Sequence, residues 1–524
     1  MSSLARATAL MSVGTVLSRL TGLARLVAIT AALGVKETGL ADPYNFGNTA
    51  PNILYEFLLG GILTSVFVPV FVELLEKEGR DRAWAIASAV INLSMVFLVG
   101  MSAVGIALAP LIARFYETDV AGQQEALTFL LRLFIPQIIF YALTAITAGL
   151  LNAHKRFGAP MYTPVLNNLA VIIVFLTFRQ AYGSVTLGSV TNGQLLLIGG
   201  GTTLGVALMA VAQLPFLRGL GHYRLSFSIK HPSVRKVAGL SVYVIGYVMA
   251  NQIGYLIVQR LARGQEGAYT AYVAAFTFFM LPHGLFAVSV ITALLPTMSE
   301  HAANQRWGEF TERLTTGLSA TFFLVFPAAV GYFVLAEPIV RLLLQNGVVT
   351  VESTELVAGV LRFFVLGLVP FSLFQLFLRA FYALQDTKTP FLINCAAVAV
   401  NIVINVIVFQ FLGVAGLAAG HAAAYVFGAA LQGRVLSKRI GGFDRKRIIS
   451  SAGKIVATGT GMGAAVLAVS LLIERSADMA TLPGQLAGVI VPVLVGAAVY
   501  AWLSYALRVE ELRSIGALVL RRLR

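Results

Sequence analysis

The sequence predicts an all-α integral membrane protein of about 14 transmembrane helices, in two parallel six-helix lobes followed by two C-terminal helices. Three observations predict this fold class: the composition, a series of long apolar stretches, and an internal repeat. Of the 524 residues, 58% are hydrophobic and 12% are charged, and the mean hydropathy is +0.83. Soluble proteins carry about a quarter charged residues. A chain this apolar can avoid water only if lipid surrounds most of it.

Fourteen apolar stretches are long enough to cross a bilayer, whose hydrocarbon core of about 30 Å needs roughly 20 helical residues. The first begins near Thr8 and runs too long for the apolar core of a secretory signal, so we expect it to be retained as a span. The fourteen predicted spans are 8–33, 42–74, 84–112, 125–151, 161–178, 194–217, 237–259, 268–299, 314–336, 355–384, 390–411, 416–433, 448–473 and 484–507.

The loops carry their Lys and Arg residues unevenly. Most lie in one alternate set of loops, which contains the basic segments 77–82, 218–236 and 434–447 and the C-terminal tail. Because positively charged loops tend to stay in the cytoplasm, we expect both termini there, and an even number of spans agrees. The formal net charge of +15 then reflects topology and contact with anionic membrane lipids rather than binding of nucleic acid.

The chain repeats itself at an offset of about 230 residues. Arg132 precedes Pro160 by 28 residues, and Arg362 precedes Pro390 by the same 28 residues. Two more proline pairs match at nearly this offset, Pro110 with Pro338 and Pro69 with Pro296. An even number of helices separates the repeats, so the two lobes are predicted to be parallel. Paired lobes of this kind usually frame a central substrate site.

The repeat gives a division of the chain into three parts. We assign 1–217 to an N-terminal lobe of spans 1 to 6, and 218–440 to a C-terminal lobe of spans 7 to 12. The remainder, 441–524, holds spans 13 and 14 and a basic cytoplasmic tail.

Span 1 places two arginines, Arg19 and Arg25, near the middle of the membrane. A charge there costs at least about 2.5 kcal/mol on insertion scales, and such residues usually face a cavity and serve function. Six helical positions separate the two by about 120°, so both can border one wide cavity. Two guanidinium groups favour an anionic substrate. The alternative is a structural role, in which each arginine pairs with a carboxylate or reaches the interface.

Span 2 carries five polar residues whose steps of three and four positions place them on one helical face: Asp42, Asn45, Asn48, Asn52 and Glu56. A polar stripe of this length inside a membrane needs water or a polar partner. The simplest arrangement is a water-filled cleft with span 1 opposite, so these five residues and the two arginines are our candidate substrate-binding residues. The alternative is hydrogen bonding between helices, with Asp42 as a helix cap.

Other polar residues give weaker signals. Asn401 and Asn405 in span 11 and Gln252 in span 7 are candidates for a cation site or a second polar site. Asparagine pairs inside membranes more often join helices. For Arg132 and Arg362, at equivalent positions of the two lobes, we favour a structural role.

The sequence lacks the usual marks of enzymes. The one cysteine, Cys395, and six scattered histidines form no cluster at metal-ligand spacing. There is no nucleophile–base spacing, phosphate-binding loop or ATPase domain. We therefore expect no enzymatic activity, no cofactor and no metal. Active transport would have to draw on Na⁺, H⁺ or the membrane potential.

Four motifs are typical of one family. The first two spans contain S-R-L-T-G-L-A-R, D-P-Y-N-F-G-N-T-A-P-N-I-L and V-F-V-P-V-F, and the second lobe contains F-Y-A-L-Q-D-T-K-T-P. Over essentially its whole length the chain resembles the MurJ (MviN) lipid II flippases of the MOP exporter superfamily. The family's span-1 arginines match Arg19 and Arg25, and its span-2 aspartate matches Asp42.

The resemblance implies a function in peptidoglycan synthesis. Such proteins move lipid II, an undecaprenyl diphosphate carrying a disaccharide–pentapeptide, from the cytoplasmic to the outer leaflet of the bacterial inner membrane by alternating access. The resemblance also implies a V-shaped cavity between the lobes, a groove for the lipid tail at spans 13 and 14, and cell-wall synthesis proteins as partners.

The chain also departs from the family's pattern. Tyr55 and Glu56 stand where basic residues are usual, and Thr277 stands where span 8 usually has an arginine. These departures leave other functions open: a flippase for another polyprenyl-linked oligosaccharide, a drug exporter, or a non-transporting membrane scaffold for envelope synthesis.

Overall fold

The computed structural model describes residues 3–56, 71, 75–116, 122–226 and 232–512. Every regular element in these ranges is helical, which confirms the predicted fold class. The second half of span 2 with Pro69, and the tail from residue 513, lie outside the described residues.

The helices fall into two compact units. The first, 1–270 with 347–349, contains α1 (Ser3–Leu33), α2 (Ala41–Tyr55), α3 (Arg80–Ala107), α4 (Ala109–Phe115), α5 (Gln123–Phe134), α6 (Gln137–Ala153), α7 (Gly158–Tyr182), α8 (Asn192–Val211), α9 (Pro232–Ala262) and the start of α10 (Ala268–Pro282).

The second unit, 271–346 with 350–524, continues α10 through a π-helical turn, His283–Ala287. It then contains α11 (Val288–Ala303), α12 (Trp307–Val334), α13 (Ala336–Leu344), α14 (Val351–Leu366), α15 (Leu368–Ala383), α16 (Lys388–Leu412), α17 (Val414–Arg439), α18 (Arg445–Ser476) and α19 (Leu482–Ala506). A compact unit is not the same property as a sequence repeat, so the lobe boundary at 217/218 stays a prediction.

Eleven helical segments in the described ranges are long and apolar enough to span a membrane, or twelve if α14 and α15, bent by 47° at their junction, form one span. Each coincides with a predicted span. The other two predicted spans, 42–74 and 237–259, are not among these segments, so the count of fourteen stays a prediction.

Several predicted spans consist of two helices rather than one. Span 4 changes from α5 to α6 at Pro136, which lacks an N–H for the helical ladder. Span 10 breaks at Gly367, where an added Cβ would lie 2.7 Å from Ala422 Cα. The break therefore permits close backbone packing against α17.

The internal repeat is visible in the backbone. Helices α7 and α16 both have 25 residues, and their bounds differ by the offset of 230. Lys155 and Gln385, equivalent under this offset, are both left-handed (φ 60° and 56°), and so are Gly183 and Gly413 (φ 65° and 55°). The two repeats therefore fold into the same local structure, including its strained turns.

Asp386, in the family-typical motif of the second repeat, fixes the entry to α16. Its Oδ1 accepts a hydrogen bond from the backbone N–H of Thr389 (2.9 Å), and its Oδ2 pairs with Arg439. Partial burial opposes ionisation, but these hydrogen bonds and the Arg439 charge together lower the pKa of Asp386. The carboxylate is thus ionised at neutral pH, and the motif has a structural role at this turn.

Helices α16 and α17 pack closely through Gly416, and we expect Gly416→Ala to destabilise the protein. An added Cβ would lie 2.8 Å from the backbone carbonyl of Val408, and overpacking of this kind typically costs about 1–3 kcal/mol. Thermal unfolding of the purified protein in detergent measures the effect. Gly453→Ala in α18, where the new methyl group meets nothing within 4 Å, is the matched control and should leave the melting temperature equal or slightly higher. Equal melting temperatures for the two variants would contradict this packing argument.

Candidate substrate-binding site

Helix α1 carries both predicted arginines on one unbroken helix and is held against α7. Asn168 of α7 donates to the carbonyl oxygen of Ser18 (3.2 Å) and to the hydroxyl of Thr21 (3.0 Å). Gly14 lies against Met161, where an added Cβ would come within 3.1 Å of the methionine side chain. These contacts fix the rotation of α1, and therefore the directions in which its arginines point.

Arg19 and Arg25 have different surroundings. Arg19 is exposed, whereas Arg25 is half-buried. The Arg25 guanidinium lies beside the hydroxyl group of Tyr44 and within electrostatic range of Tyr141. No carboxylate among the described residues is within ion-pair distance of either arginine, so the predicted alternative of a structural ion pair finds no support there. Two cations without an acidic partner leave their charge available to an anion.

Packing holds Tyr44 in place beside Arg25. The tyrosine ring is fully buried and makes edge contacts with Phe134 and Phe175, at centroid distances of 5.5 and 5.1 Å. Its hydroxyl shares a hydrogen bond with Thr202 of α8 (2.8 Å). Four helices thus converge on the Tyr44 side chain and hold its hydroxyl in place, as a neutral neighbour of Arg25.

Tyr141 of α6 lies near both the C-terminal end of α2 and Arg25. Its hydroxyl donates to Gln137 Oε1 (3.3 Å), and the Asn52 side chain lies close to it. Gln137 in turn donates to Thr203 (3.0 Å). We call Arg25, Tyr44, Asn52 and Tyr141 the arginine–tyrosine cluster.

The N-terminal end of the predicted stripe contacts the start of α10 instead of the arginines. Asp42 is buried, and its carboxylate accepts hydrogen bonds from the backbone N–H of Gly267 (3.0 Å) and from both the N–H and the hydroxyl of Thr270 (2.8 and 2.6 Å). Asn45 donates to the same hydroxyl (3.0 Å). A carboxylate is favourable here because the first N–H groups of a helix lack partners within it. Asp42 therefore caps α10, a helix distant in sequence.

A network of tyrosines extends this contact. Tyr269 stacks on Phe46 at 4.2 Å, and its hydroxyl donates to Thr49 (3.0 Å). Gln259 of α9 donates to the Tyr269 hydroxyl (2.7 Å) and accepts from Tyr116 (2.7 Å). The start of α10 is thus tied to α2, α4 and α9 by buried hydrogen bonds.

The structure therefore divides the polar stripe into two rows. Asp42, Asn45 and Thr49 face the start of α10. Tyr44, Asn48 and Asn52 follow one another at four-residue spacing on the side of the arginine–tyrosine cluster. Asn48 Oδ1 is buried and has no hydrogen-bond partner among the described residues, and Glu56 is half-buried at the C-terminal end of the stripe. Substrate binding by any of these residues stays a prediction.

The remaining predicted residues lie apart from this site. Gln252 is half-buried on α9. In the second unit, Asn405 donates to Asn401 (3.1 Å), and its buried Oδ1 lies where a side chain at Gly420 would be. This close contact agrees with a role in joining α16 and α17, and a cation site there stays a prediction. Thr277 donates to its own helix, at Val273 O (2.8 Å).

Sequence reasoning missed the residues that complete the site. Tyr44, Tyr141, Tyr269 and Thr270 supply most of its hydroxyl groups, yet tyrosine and threonine are ordinary residues in membrane helices. The only available signal was the four-residue step from Tyr44 to Asn48 and Asn52. Periodicity shows which residues share a face, but not which partner that face meets.

Comparison with known proteins gives a consistent result. The sequence profile of a family described as "Lipid II flippase MurJ" matches residues 29–486. A probable lipid II flippase MurJ from Rhizobium meliloti (strain 1021) is 30% identical over 419 residues, covering 76% of this chain and 74% of the relative. Another from Bdellovibrio bacteriovorus is 28% identical over 516 residues, covering 97% and 95%.

Solved structures agree on the fold. A lipid II flippase MurJ in an inward closed conformation matches with a TM-score of 0.76 at 24% identity, covering 94% of this chain and 98% of that one. An inward-facing multidrug resistance MATE transporter of the MOP superfamily matches with a TM-score of 0.66 at 13% identity, covering 81% and 94%.

Proposed function

Because this chain belongs to the MurJ family of lipid II flippases, we propose that it moves lipid II from the cytoplasmic to the outer leaflet by alternating access. One observation carries the proposal: Arg19 and Arg25 lie in a membrane helix, and no carboxylate among the described residues is within ion-pair distance of either. The diphosphate of lipid II is the anion that such a pair suits, because a guanidinium binds phosphate oxygens through two parallel hydrogen bonds.

The cluster around Arg25 suggests how the substrate is held. Tyr44 and Tyr141 orient the guanidinium, and their hydroxyls offer further hydrogen bonds to phosphate oxygens. Asn48, Asn52 and Glu56, on the inner part of α2, would contact the sugars or the peptide. Asp42 and Asn45 would act at a distance, by holding the start of α10 on α2.

Thr277 stands where the family usually has an arginine, which bears on the identity of the glycolipid. A flippase for another undecaprenyl-diphosphate glycan is therefore the second candidate. Native mass spectrometry of the purified protein with lipid II, and with undecaprenyl diphosphates carrying other glycans, separates the two. We expect lipid II to be retained at concentrations about tenfold lower than the others. Equal retention of all of them would favour recognition of the diphosphate alone and a different transported substrate.

Further partners follow from the second unit. A cavity of about 740 Å³ between α12, α15, α17 and α18 has apolar walls, including Phe322 and Phe377, and carries Arg434 and Lys438 at its edge. Such a surface suits an anionic membrane lipid.

We also propose that α18 and α19 guide the lipid tail and that cell-wall synthesis proteins associate with the transporter. Crosslinking in growing cells tests both kinds of partner.

We place the protein in the bacterial inner membrane with both termini in the cytoplasm, on the uneven distribution of its basic loops. Labelling of cysteines introduced at positions 155 and 183, expected on opposite sides of the membrane, tests this orientation.

We further propose that transport is driven by Na⁺, H⁺ or the membrane potential, and that the chain has no enzymatic activity. Flipping in proteoliposomes under each imposed gradient identifies the energy source.

A further inference from the structure

The first unit contains a polar cavity that the proposed function does not use. It has a volume of about 720 Å³ and lies between α5 and the segment that joins α7 to α8. We call it the α5 pocket. Its walls combine charged, amide and hydroxyl side chains with apolar ones, including Glu125, Thr128, Phe129, Arg132, Asn192 and Leu195.

The charges in the α5 pocket have a fixed order along the helix. Glu125, Thr128, Phe129 and Arg132 lie at i, i+3, i+4 and i+7, which is one helical face. Glu125 is in the first turn of α5, at the end of the membrane segment 123–153. Arg132 lies about 10 Å deeper along the axis. The pocket is therefore negative at the membrane boundary and positive farther in.

Comparison with the second repeat shows that Arg132 has no acidic partner among the described residues, whereas its equivalent has one. Arg362, at an offset of 230, pairs with Glu337 (3.6 Å), which also binds Arg341 (2.5 Å). At the position of Glu337 the first repeat has Ala109, next to the matching Pro110. No carboxylate in the described ranges is within ion-pair distance of Arg132, and its side chain is exposed in the pocket.

The structural role predicted for both arginines is therefore supported at Arg362 only. An arginine within a membrane segment, with no acidic partner among the described residues and in a polar cavity, is expected to bind an anion from outside the chain. Glu125 lies nearer the membrane boundary than Arg132. The bound molecule should therefore also carry a cationic group, on the boundary side of its anion.

We propose that the α5 pocket binds the headgroup of a zwitterionic phospholipid that carries a primary ammonium, namely phosphatidylethanolamine. In such a lipid the phosphate is attached to the glycerol, and the ammonium lies beyond it, farther from the bilayer centre. This order matches Arg132 below and Glu125 above. The arginine forms two hydrogen bonds with the phosphate, the ammonium donates to Glu125 and Asn192, and Phe129 and Leu195 form apolar walls beside the headgroup.

Native mass spectrometry of the full-length protein in detergent tests the proposal, with palmitoyl-oleoyl phosphatidylethanolamine, phosphatidylglycerol and phosphatidylcholine as probes. We expect one phosphatidylethanolamine to be retained about tenfold more strongly than either of the others. Phosphatidylglycerol lacks the cation, and the quaternary ammonium of phosphatidylcholine cannot donate hydrogen bonds. Equal retention of the three lipids would overturn the proposal.

Variants locate the binding. Arg132→Gln should weaken phosphatidylethanolamine binding about tenfold, and Arg132→Lys less, because lysine keeps the charge without the paired hydrogen bonds. Glu125→Gln should remove the preference over phosphatidylglycerol. Thr128→Trp, which fills the pocket without changing charge, should weaken binding even if an arginine variant does not fold.

The second repeat supplies matched controls. Glu355→Gln and Arg362→Gln remove the equivalent charges and should leave phosphatidylethanolamine binding unchanged. An equal loss in these controls would show a general effect of charge and overturn the assignment. Displacement of the bound phosphatidylethanolamine by lipid II would also overturn it, because the pocket would then belong to the transport path.

Discussion

Arg25→Ala should abolish growth in bacteria whose own lipid II flippase has been depleted, although the variant is folded and inserted. The lost guanidinium is the cation that lies beside the Tyr44 hydroxyl, and a tyrosine hydroxyl cannot supply a positive charge in its place. Charge-assisted hydrogen bonds are worth about 1.5–3 kcal/mol each, so the loss of two should weaken diphosphate binding by about a hundredfold or more. Rescue of growth by plasmid-borne variants measures the effect, with membrane insertion checked by immunoblotting.

Related variants make the test specific. Arg25→Lys keeps the charge but loses the planar pair of donors, so we expect partial growth. Arg179→Ala removes an exposed arginine near the end of α7 and should grow normally. Normal growth of Arg25→Ala would contradict the proposed role in substrate binding. Growth of the double variant lacking both Arg19 and Arg25 would instead favour a membrane scaffold.

Asp42→Asn is the second substitution with a large expected effect, and it acts on stability first. The asparagine side chain keeps one acceptor but turns an NH₂ group toward the N–H of Gly267 or Thr270, and it removes a negative charge from the start of α10. A buried donor without an acceptor costs about 1–3 kcal/mol. Thermal unfolding in detergent should therefore show a lower melting temperature, and growth rescue should be impaired.

Two comparisons separate this cap from a general effect of charge. Asp478→Asn alters an exposed loop carboxylate that accepts a hydrogen bond from Ala480 N (2.9 Å), and its effect should be within about 0.5 kcal/mol. Thr270→Val removes only the hydroxyl contacts of Asp42 and Asn45, so it should lie between Asp42→Asn and the wild type. If Asp42→Asn unfolds like the wild type yet fails to support growth, Asp42 acts on the substrate rather than on α10.

The two ends of the polar stripe show how far sequence reasoning reached into the site. The spacing from Asp42 to Glu56 predicted one polar helical face, and the cost of Arg25 in a membrane drew attention to α1. Neither observation indicated that Asp42 would meet Thr270, some 228 residues later. The division of the stripe depends on where the first turn of α10 lies, and that position depends on how the helices pack.

The internal repeat is a second case in which the sequence did not show which groups surround a charge. The matching positions of Arg132 and Arg362 were visible in the sequence and suggested a shared structural role. The structure distinguishes them because Glu337 reaches Arg362, whereas the first repeat has Ala109 at the equivalent position. One position of the repeat, Glu337 or Ala109, therefore determines whether the preceding helix offers an acidic partner to the arginine.

The sequence by itself determined that lipid surrounds most of this protein. It also determined the helical fold, the repeat and the two arginines that define the candidate site. These properties depend on composition and on spacing along one helix, and both can be read from neighbouring residues. The tertiary structure decided which groups surround each charge: hydroxyls for Arg25, helix N–H groups for Asp42, and an open pocket for Arg132. The energy of a buried charge depends on its partners in space, and those partners come from helices that only packing brings together.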